Sequence, residues 1–534
     1  MPGWSSSVTG EVPAAALAAV DHVLRSTAVA VSVLSILLAG PRWLRVAQRE
    51  HYAVDAVSRF ALRWWTSGPA NLAALAVAVA GLVLSSRWPA GAFATAAVVA
   101  LGPVGLPWRG RTSPLAWTRR LRTLALVWAV LEAGAIAGAT VAGQGPVAAA
   151  AAALALPALV DLACAFTAPL ERRLAGTYVR SAAARLRRVA PRVVAITGSF
   201  GKTSTKGYVA HLVGAARSVV ASPASFNNRA GLARAVNEHL ADGTEVFVAE
   251  MGTYGRGEIA ALCSWVRPDV SVITAVGPVH LERFGSEDRV LEAKAEILEG
   301  VPCAVLVVDD DRLSKLAETC ARNGTRVWRV SGRDTGADVC VLDEGGALSV
   351  YVRGEEIVGG LPVEARPGNA AAAVAVALEL GVPVDEVARR LPTLPVAPHR
   401  LEPSVAAGGV VVLDDTYNAN PAGGRAALAT LERLGVDAPR RVVVTPGMVE
   451  LGSLQSEENA SFAAHALSVA TDLVVVGRTN RRALLQGARR ASEGTGPGRV
   501  VVLGTRQEAT EWVRTHLGSG DVVLYENDLP DHYP

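Results

Sequence analysis

The sequence predicts a multi-domain fold: an N-terminal α-helical membrane domain, then an α/β P-loop domain, then a Rossmann-like C-terminal α/β domain. Up to about residue 170, acidic residues are rare and Ala, Val and Leu form long runs. Beyond that point, Val-rich strands alternate with charged helices. The 534 residues are 50% hydrophobic with a mean hydropathy of +0.29, which is high for a soluble protein of this length. We place the three domains at 1–175, 176–397 and 398–534.

Five stretches of the N-terminal domain are apolar enough to cross a bilayer core, which takes ~20 residues. They lie near 24–41, 69–86, 90–107, 123–142 and 146–169. Arginines cluster after the first, third and fifth stretches and are nearly absent from the other turns. The positive-inside rule then places residues after about 170 in the cytoplasm, in a multi-pass protein of the cytoplasmic (inner) membrane. Glu132 and Asp161 fall inside these stretches, and their role stays open.

Charge and cysteine usage exclude several classes of protein. Lys and Arg number 52 against 49 Asp and Glu, so the formal net charge of +3 does not indicate a nucleic-acid partner. The five cysteines form no C-x-x-C pair, which argues against a zinc module or a disulfide framework. The oligomeric state stays open.

A phosphate-binding loop is predicted between a strand at 192–196 and a helix that begins at Lys202. A strand, a glycine turn and a helix N-terminus can hold phosphates through backbone N–H groups. The lysine ammonium would reach the β and γ oxygens, and the next hydroxyl would face Mg²⁺. The candidate nucleotide-binding residues are Gly198, Ser199, Gly201, Lys202, Thr203 and Ser204.

Three further side chains are candidate metal ligands together with Thr203. Glu250 ends a Val-rich strand at the edge where a parallel sheet presents its ligands, a sensible position for Mg²⁺. His280 follows another predicted strand, at 270–275, and alone would more often be structural. Lys294 stands two residues before Glu296, where the spacing alone favours a surface helix.

A phosphate loop is compatible with a kinase, a transport ATPase, a GTPase or a ligase, so the later motifs decide. These are T-S-T-K from Thr203, S-F-N-N at 225–228, E-M-G at 250–252, the segments 273–282 and 292–298, P-H-R-L-E at 398–402 and D-D-T-Y-N-A-N-P at 414–421. Together they resemble the Mur ligase family, in the family's order, over about residues 191–534. The last segment looks like the version in ligases that add D-alanyl-D-alanine to the peptidoglycan precursor.

The resemblance implies an ATP- and Mg²⁺-dependent amide ligase that works through an acyl phosphate. It implies catalytic roles for Lys202, His280 and Lys294, and Mg²⁺ ligation by Thr203, Glu250, His280 and a carbamylated Lys294. It adds Asn369, Arg400 and Asp415 to the nucleotide site. Substrate contacts are implied for Asn227, Asn228, Tyr417, Asn418 and Asn420, with a turn role for Asn227 and Asn228 left open.

Departures from the family pattern shape the expected substrate. Ala365 and Arg366 stand where the family usually has His-Asn, which puts adenine contacts there in doubt. Membrane spans take the place of the family's soluble UDP-sugar-binding domain. We therefore expect a small-molecule or lipid-linked envelope precursor and an amino acid or dipeptide as partners. Alternatives are a ligase resembling poly-γ-glutamate synthases, an ATP-driven envelope transporter and a non-catalytic scaffold.

Overall fold

The computed structural model describes residues 14–106, 114–223, 226–361, 365–395, 401–406, 408–417, 419–492, 498–529 and 533. The chain separates into two compact units, one ending at Leu174 and one spanning Ala175–Leu529. The boundary falls inside helix α7 (Leu156–Val189).

Helices are the only regular secondary structure among the described residues of the first unit. Its helices are α1 (Ala14–Arg49), α2 (Ala56–Trp65), α3 (Pro69–Ser85), α4 (Gly91–Leu101), α5 (Arg119–Val141), α6 (Gly145–Leu154) and α7 (Leu156–Val189). Helices α3 and α4 approach closely at a pair of glycines. A Cβ on Gly81 would lie 2.8 Å from the Gly91 carbonyl oxygen, and a Cβ on Gly91 would lie 2.6 Å from the Gly81 carbonyl oxygen. Small residues at this crossing therefore let the two backbones touch.

The expectation of about five complete spans needs correction. By length and composition, two helices could cross a membrane, within α1 and α5, or up to four if each of two bent pairs is one span. In the part of the stretch at 90–107 that the structure describes, the helix is the 11-residue α4, about 16 Å long against a ~30 Å bilayer core. The stretch at 146–169 is broken between α6 and α7, which are bent by 74°. Pro157 lies in the first turn of α7, where a proline fits but cannot continue a preceding helix.

The two acidic residues within this unit have structural partners. The Asp161 carboxylate accepts hydrogen bonds from the backbone N–H groups of Val57, at 3.1 Å, and Ser58, at 2.8 Å. These N–H groups belong to the first turn of α2, so Asp161 satisfies donors that a helix N-terminus leaves unpaired. The buried Glu132 carboxylate accepts from Trp128 Nε1 at 3.1 Å, one turn earlier on α5.

The second unit begins with a nine-stranded sheet in the order β2-β3-β1-β4-β5-β6-β7-β8-β9. Its strands are β1 (Arg192–Thr197), β2 (Val219–Ala221), β3 (Val246–Glu250), β4 (Val270–Ile273), β5 (Cys303–Val307), β6 (Arg326–Ser331), β7 (Val339–Asp343), β8 (Leu348–Val352) and β9 (Glu355–Leu361). Strands β1–β7 pair in parallel, while β8 and β9 are antiparallel. The sequence predicts a small β-rich insert at about 338–362, and the strands found there, β7 to β9, continue the main sheet.

Helices cover both faces of this sheet. They are α8 (Lys202–Val213), α9 (Arg229–His239), α10 (Glu258–Val266), α11 (Leu281–Phe284), α12 (Glu287–Ala295), α13 (Asp311–Arg322), α14 (Pro367–Glu379) and α15 (Val384–Arg390). Strand β1 shows why both faces are covered. Val194 and Ile196 pack with α8 and α14, and the alternating Val193 and Ala195 pack with α9, α10, α12 and α13. A strand buried on both faces needs a continuous apolar run, as V-V-A-I at 193–196 provides.

The rest of the second unit is a six-stranded sheet in the order β10-β11-β15-β12-β13-β14. Its strands are β10 (Glu402–Val405), β11 (Val411–Asp415), β12 (Arg441–Thr445), β13 (Asp472–Val476), β14 (Arg499–Leu503) and β15 (Val522–Glu526). Its helices are α16 (Pro421–Leu434), α17 (Gln455–Val469), α18 (Arg481–Ser492) and α19 (Arg506–His516). The sequence predicts strands at 410–414, 441–445, 472–476, 499–503 and 521–525, and strands β11 to β15 lie within one residue of these positions. The antiparallel strand β10 was not predicted. We call the two parts the nine-stranded and six-stranded domains.

Candidate active site

The predicted phosphate loop joins β1 to α8 and is packed too tightly for side chains at two of its glycines. A Cβ on Gly198 would lie 1.9 Å from Thr274 Oγ1, and one on Gly201 would lie 2.4 Å from Asn369 Oδ1. Gly201 also has a φ of 84°, in the left-handed region that glycine adopts without strain. The loop therefore delivers the chain directly into the N-terminus of α8, where backbone N–H groups and the helix dipole favour an anion.

Ser199 fixes the loop to the segment that follows β4. Its backbone N–H donates to the Ala275 carbonyl oxygen at 2.8 Å, its hydroxyl donates to the Gly277 carbonyl oxygen at 3.1 Å, and the Gly277 N–H donates back to Oγ at 3.0 Å. Ser199 thus braces the loop, while the half-buried Ser204 lies in the first turn of α8. The candidate nucleotide-binding residues 198–204 thus form one continuous segment, the loop followed by the first turn of α8.

Two polar side chains lie against this loop. Lys202 Nζ donates to the Gly198 carbonyl oxygen at 2.8 Å, so the ammonium lies over the loop. Asn369, in the first turn of α14, is only 7% exposed, and its Nδ2 has no hydrogen-bond partner among the described residues. A buried amide that lacks a partner loses about 1–3 kcal/mol of solvation, which a ligand at the loop would restore.

Glu250 stands at the centre of a polar cluster at the carboxyl end of β3. Its Oε2 accepts from Thr203 Oγ1 at 3.1 Å and pairs with Lys206 Nζ at 3.0 Å, and its Oε1 accepts from Asn227 Nδ2 at 3.1 Å. Glu250 is 1% exposed, and a buried carboxylate is stable only with such partners. The structure thus brings Thr203, Asn227 and Glu250 together. Lys206 was not predicted, although it lies one helical turn after Lys202 and so on the same face of α8.

The charge of Glu250 is set by two opposing effects. Burial raises the pKa of its carboxyl, but the ammonium groups of Lys206 and Lys202 and two hydrogen bonds outweigh burial and hold the pKa below its ordinary value. The carboxylate is therefore ionised at neutral pH. An ionised oxygen beside a threonine hydroxyl is the ligand chemistry that a hard cation requires.

Lys294 is buried at the end of α12 instead of lying on a surface helix. The side chain is 4% exposed, and burial, aided by the positive charge of Lys202, lowers the pKa of its amine well below the ordinary value. A neutral amine is nucleophilic, whereas an ammonium is not. The structure thus supplies the chemical condition for carbamylation at this residue.

His280 follows β4 and α11 begins directly after it. Its Nδ1 is hydrogen-bonded to a Glu450 carboxylate oxygen from the six-stranded domain. The Tyr254 ring lies edge-on to the imidazole, with the ring centroids 4.7 Å apart. The hydrogen bond occupies Nδ1, which leaves Nε2 as the ring atom for any ligand.

Of the four predicted metal ligands, Thr203 and Glu250 have the chemistry and placement that suit Mg²⁺. No group of three or more His, Cys, Asp or Glu side chains within the described ranges is arranged to hold a metal ion. Thr203 Oγ1 and Glu250 Oε2 nevertheless provide two adjacent oxygens beside the phosphate loop. Mg²⁺ commonly binds through one or two carboxylates together with substrate phosphates and water. These residues therefore fit a Mg²⁺ ion that arrives with a nucleotide, and the parts assigned to His280 and Lys294 stay predictions.

The predicted residues of the six-stranded domain lie around the end of β11. Asp415 is buried and Tyr417 is exposed. Asn420 Oδ1 accepts from the Gly423 N–H at 2.9 Å and caps α16, and Asn228 Oδ1 caps α9 in the same way through the Gly231 N–H at 2.9 Å. Both asparagines thus have a structural role, which is the turn role left open for Asn228. Arg400 and Asn418 lie outside the described residues.

Arg366, which replaces an expected family residue, points from the nine-stranded domain to the start of α16. Its Nη2 lies 3.4 Å from the position that a Cβ on Gly423 would take. The guanidinium is thus close to the capped helix N-terminus that follows Asn420. The departure from the family pattern identifies Arg366 as a substitution, but the sequence does not predict that its guanidinium lies at the start of α16.

Glu526, at the end of β15, is a buried acid that the sequence does not mark as a site residue. It is 0% exposed, accepts from Thr445 Oγ1 at 2.7 Å and is the register partner of Asp415 on β11. Burial, opposed by the Thr445 hydrogen bond and assisted by the Asp415 charge, raises the pKa of Glu526 to about 8. The carboxyl is therefore largely protonated at neutral pH. An acid directly after the apolar run V-V-L-Y is the one local signal for it.

Replacing this acid with its neutral isostere should change how stability depends on pH. The folded pKa of Glu526 is raised from 4.5 to about 8, so the folded state holds the proton more tightly and the wild type loses stability as pH rises between these values. Glu526→Gln cannot ionise. We expect its melting temperature, relative to the wild type, to increase steadily from pH 5 to pH 8.5, as measured by thermal unfolding in detergent. A constant difference across that range would contradict the raised pKa.

The comparisons with known proteins agree with this geometry. The family described as Mur ligase middle domain matches residues 196–377, and the family described as Mur ligase, glutamate ligase domain, matches residues 399–525. The UDP-N-acetylmuramoyl-tripeptide–D-alanyl-D-alanine ligase of Mycobacterium tuberculosis is 34% identical over 358 residues, which cover 62% of this chain and 69% of that protein.

Two solved structures of MurF are similar to the chain. MurF from Acinetobacter baumannii matches with a TM-score of 0.57 and 25% identity, over 66% of this chain and 77% of that one. MurF from Thermotoga maritima in complex with ADP matches with a TM-score of 0.56 and 27% identity, over 66% of this chain and 80% of that one.

The chain belongs to the Mur ligase family. It is an ATP-dependent ligase that is similar to MurF in sequence and fold, and the resemblance inferred from the motifs is confirmed.

Proposed function

We propose that the protein is a membrane-anchored ligase that uses ATP to add an amino acid or dipeptide, with D-alanyl-D-alanine as the first choice, to a peptidoglycan precursor. The observation that carries the proposal is the polar cluster of Glu250 with Thr203 beside Lys202 and the phosphate loop. This cluster lies in a chain 34% identical to a ligase named for that reaction. The described residues offer no specific support for a transporter, a poly-γ-glutamate synthase or a scaffold.

The proposed reaction has two steps. An oxygen of the precursor carboxylate attacks the γ-phosphorus of ATP, the bond to the β-phosphate oxygen breaks, and ADP leaves. The amine of the incoming amino acid or dipeptide then attacks the acyl carbon, phosphate departs with the bonding electrons, and the amine gives up a proton. The product is an amide, ADP and phosphate.

The side chains and backbone of the site would mainly neutralise negative charge and hold the substrates in position. Lys202 would offset the negative charge on the β and γ oxygens, and the backbone between Gly198 and Gly201 would hold them. Thr203 and Glu250 would hold Mg²⁺, and His280 and a carbamylated Lys294 a second ion. Mg²⁺, when bound, supplies charge neutralisation between a phosphate and a carboxylate that would otherwise repel each other. Asp415 and Arg400 would contact the nucleotide, and the residues from Tyr417 to Asn420 the incoming amine.

The test is a product assay with the purified full chain in detergent. ATP, Mg²⁺ and D-alanyl-D-alanine are supplied with either a UDP-linked or a lipid-linked muramyl peptide, and products are read by mass. We expect a product heavier by one dipeptide, with one ADP and one phosphate released per product. Reactions without ATP serve as controls. ADP release with no mass gain on either acceptor would contradict the proposed substrates, and no ATP turnover at all would contradict the ligase.

Membrane anchoring is the second part of the proposal. It is supported by the two helices, within α1 and α5, that are long and apolar enough to cross a membrane, and by the alternating placement of arginines. It also makes a lipid-linked acceptor chemically reasonable, because such an acceptor is confined to the same surface. We expect the full chain to stay in the membrane fraction after an alkaline carbonate wash. Recovery of the folded chain in the soluble fraction without detergent would contradict anchoring.

A further inference from the structure

Glu450 connects the six-stranded domain to His280 by two separate contacts. Its carboxylate is hydrogen-bonded to His280 Nδ1, and its backbone carbonyl oxygen accepts from the Leu281 N–H at 2.9 Å. A third approach lies nearby, since a Cβ on Gly452 would come 3.2 Å from Leu281 Cβ. Glu450 therefore contacts both the side chain of His280 and the backbone directly after it.

The backbone at both ends of this contact is in an unusual conformation. His280 has a φ of 52° and Glu450 a φ of 64°, in the left-handed region that non-glycine residues seldom adopt. Such a conformation is strained and persists where the surroundings impose it, which is common at functional sites. The paired strain shows that the geometry of this contact is held by more than local preference.

A set of buried asparagines fixes the loop that carries Glu450. Asn459 Oδ1 accepts from the Met448 N–H at 2.8 Å, and its Nδ2 donates to the Met448 carbonyl oxygen at 2.9 Å. Asn480 Nδ2 donates to the same oxygen at 3.0 Å, and Asn527 Nδ2 donates to the Gly447 carbonyl oxygen at 2.7 Å. The three side chains come from α17, the turn before α18 and the end of β15. The loop at 446–452 is thus a rigid platform rather than a flexible tip.

The hydrogen bond has a chemical consequence for the imidazole. When Nδ1–H donates to a carboxylate, the neutral ring keeps its lone pair on Nε2 and its plane is fixed. Metal-binding histidines almost always have such a partner, and its removal typically lowers metal affinity or activity by about 10- to 100-fold. His280 has this arrangement, and its partner comes from a different domain.

We propose that Glu450 is a positioning residue that sets the ring orientation and tautomer of His280 across the contact between the two domains. The inference rests on the proposed function, because it gives His280 a role toward Mg²⁺ and phosphate. It adds that the six-stranded domain completes the nucleotide site through Glu450, without this residue touching the nucleotide itself.

The test compares Glu450→Ala and Glu450→Gln with a matched control. Glu457→Gln is the control, because Glu457 is an exposed acid of the same domain whose partner is the surface residue Arg490. The full chain in detergent is analysed by hydrogen–deuterium exchange with and without Mg²⁺ and a non-hydrolysable ATP analogue. In the wild type and the control, we expect the ligand to slow exchange in segment 277–285. Glu450→Ala should lose that slowing, and Glu450→Gln should keep most of it, since its amide oxygen can still accept from Nδ1.

Turnover provides a second readout. Glu450→Ala should raise the Mg²⁺ concentration for half-maximal ATP turnover about tenfold while the KM for ATP stays within about twofold. If Glu450 only stabilised its domain, Glu450→Ala would change the melting temperature without raising the Mg²⁺ requirement relative to the KM for ATP. Unchanged ligand-induced slowing at 277–285 in Glu450→Ala would overturn the inference. If the wild type turns over no ATP with either muramyl acceptor, the proposed function fails, and the exchange comparison still decides the role of Glu450.

Discussion

Replacing Lys202 with alanine should lower ATP turnover by about 10²- to 10³-fold, the effect typical of removing one preorganised donor from a site of developing charge. Its ammonium lies over the phosphate loop through the 2.8 Å hydrogen bond to the Gly198 carbonyl oxygen. It also helps to hold the pKa of Glu250 low. The substitution therefore removes a positive charge that acts on the phosphates and on the carboxylate opposite. The measurement is the initial rate of ADP release with a muramyl peptide and D-alanyl-D-alanine.

Lys315→Ala is the matched control, because Lys315 is an exposed lysine on α13 outside the polar cluster. It should retain wild-type turnover. Lys202→Ala should melt within a few degrees of the wild type, since a hydrogen bond from a half-buried side chain contributes only about 1 kcal/mol to stability. A fall of less than tenfold in turnover, with the fold intact, would contradict the assigned role of the lysine in phosphate binding.

The sequence was sufficient for features that depend on neighbouring residues. The strand, glycine turn and helix at 192–213 are encoded by a short apolar run, two glycines and a lysine-rich helix start, and all three were predicted. Five strands of the six-stranded sheet were likewise located within one residue, because each is a Val-rich run between charged helices. The position of Glu250 opposite Thr203 could be predicted, because parallel strands present their carboxyl ends at one edge of the sheet.

Features that depend on distant residues were missed or misjudged. Lys294 has the spacing of a surface helix, yet α12 packs so that the amine is buried, which no local pattern reports. The partners Glu450 and His280 are 170 residues apart, and Thr445 and Glu526 are 81 apart. Asp161 looked like a charge stranded in an apolar stretch, but it caps a helix about 100 positions earlier in the chain. Such contacts exist only once the topology brings separate elements together.

The apolar N-terminal stretches show a different limit of sequence reading. Hydropathy counts apolar residues but does not report where a helix breaks. Residues 146–169 satisfy the composition of a span, yet they form parts of two helices bent by 74°. Pro157, which lies in the first turn of α7, carries the local signal for that break.

Lys294→Met should lower turnover by about 10²-fold and yet raise the melting temperature at pH 7 in CO₂-free buffer. Burial lowers the pKa of the Lys294 amine well below its ordinary value of 10.5, so the folded state binds this proton less tightly than the unfolded chain. Stability then falls as pH drops below 10.5, and methionine, which has nothing to deprotonate, avoids the loss. The gain in melting temperature over the wild type should therefore shrink as pH rises toward 10.5. Lys315→Met, at an exposed site, should show neither effect.

The same burial makes carbamylation of Lys294 a testable step. The neutral amine attacks CO₂, a nitrogen–carbon bond forms as one C–O π bond opens onto oxygen, and the nitrogen releases a proton to solvent, which leaves an anionic carbamate in place of the neutral amine. Removing CO₂ should lower wild-type turnover, and bicarbonate should restore it. Labelled bicarbonate should give a carbamate carbon resonance in the wild type that is absent in Lys294→Met. Turnover that is independent of CO₂, together with no such resonance, would mean that Lys294 acts as a neutral amine, and the anionic ligand assigned to the second Mg²⁺ would have to come from another residue.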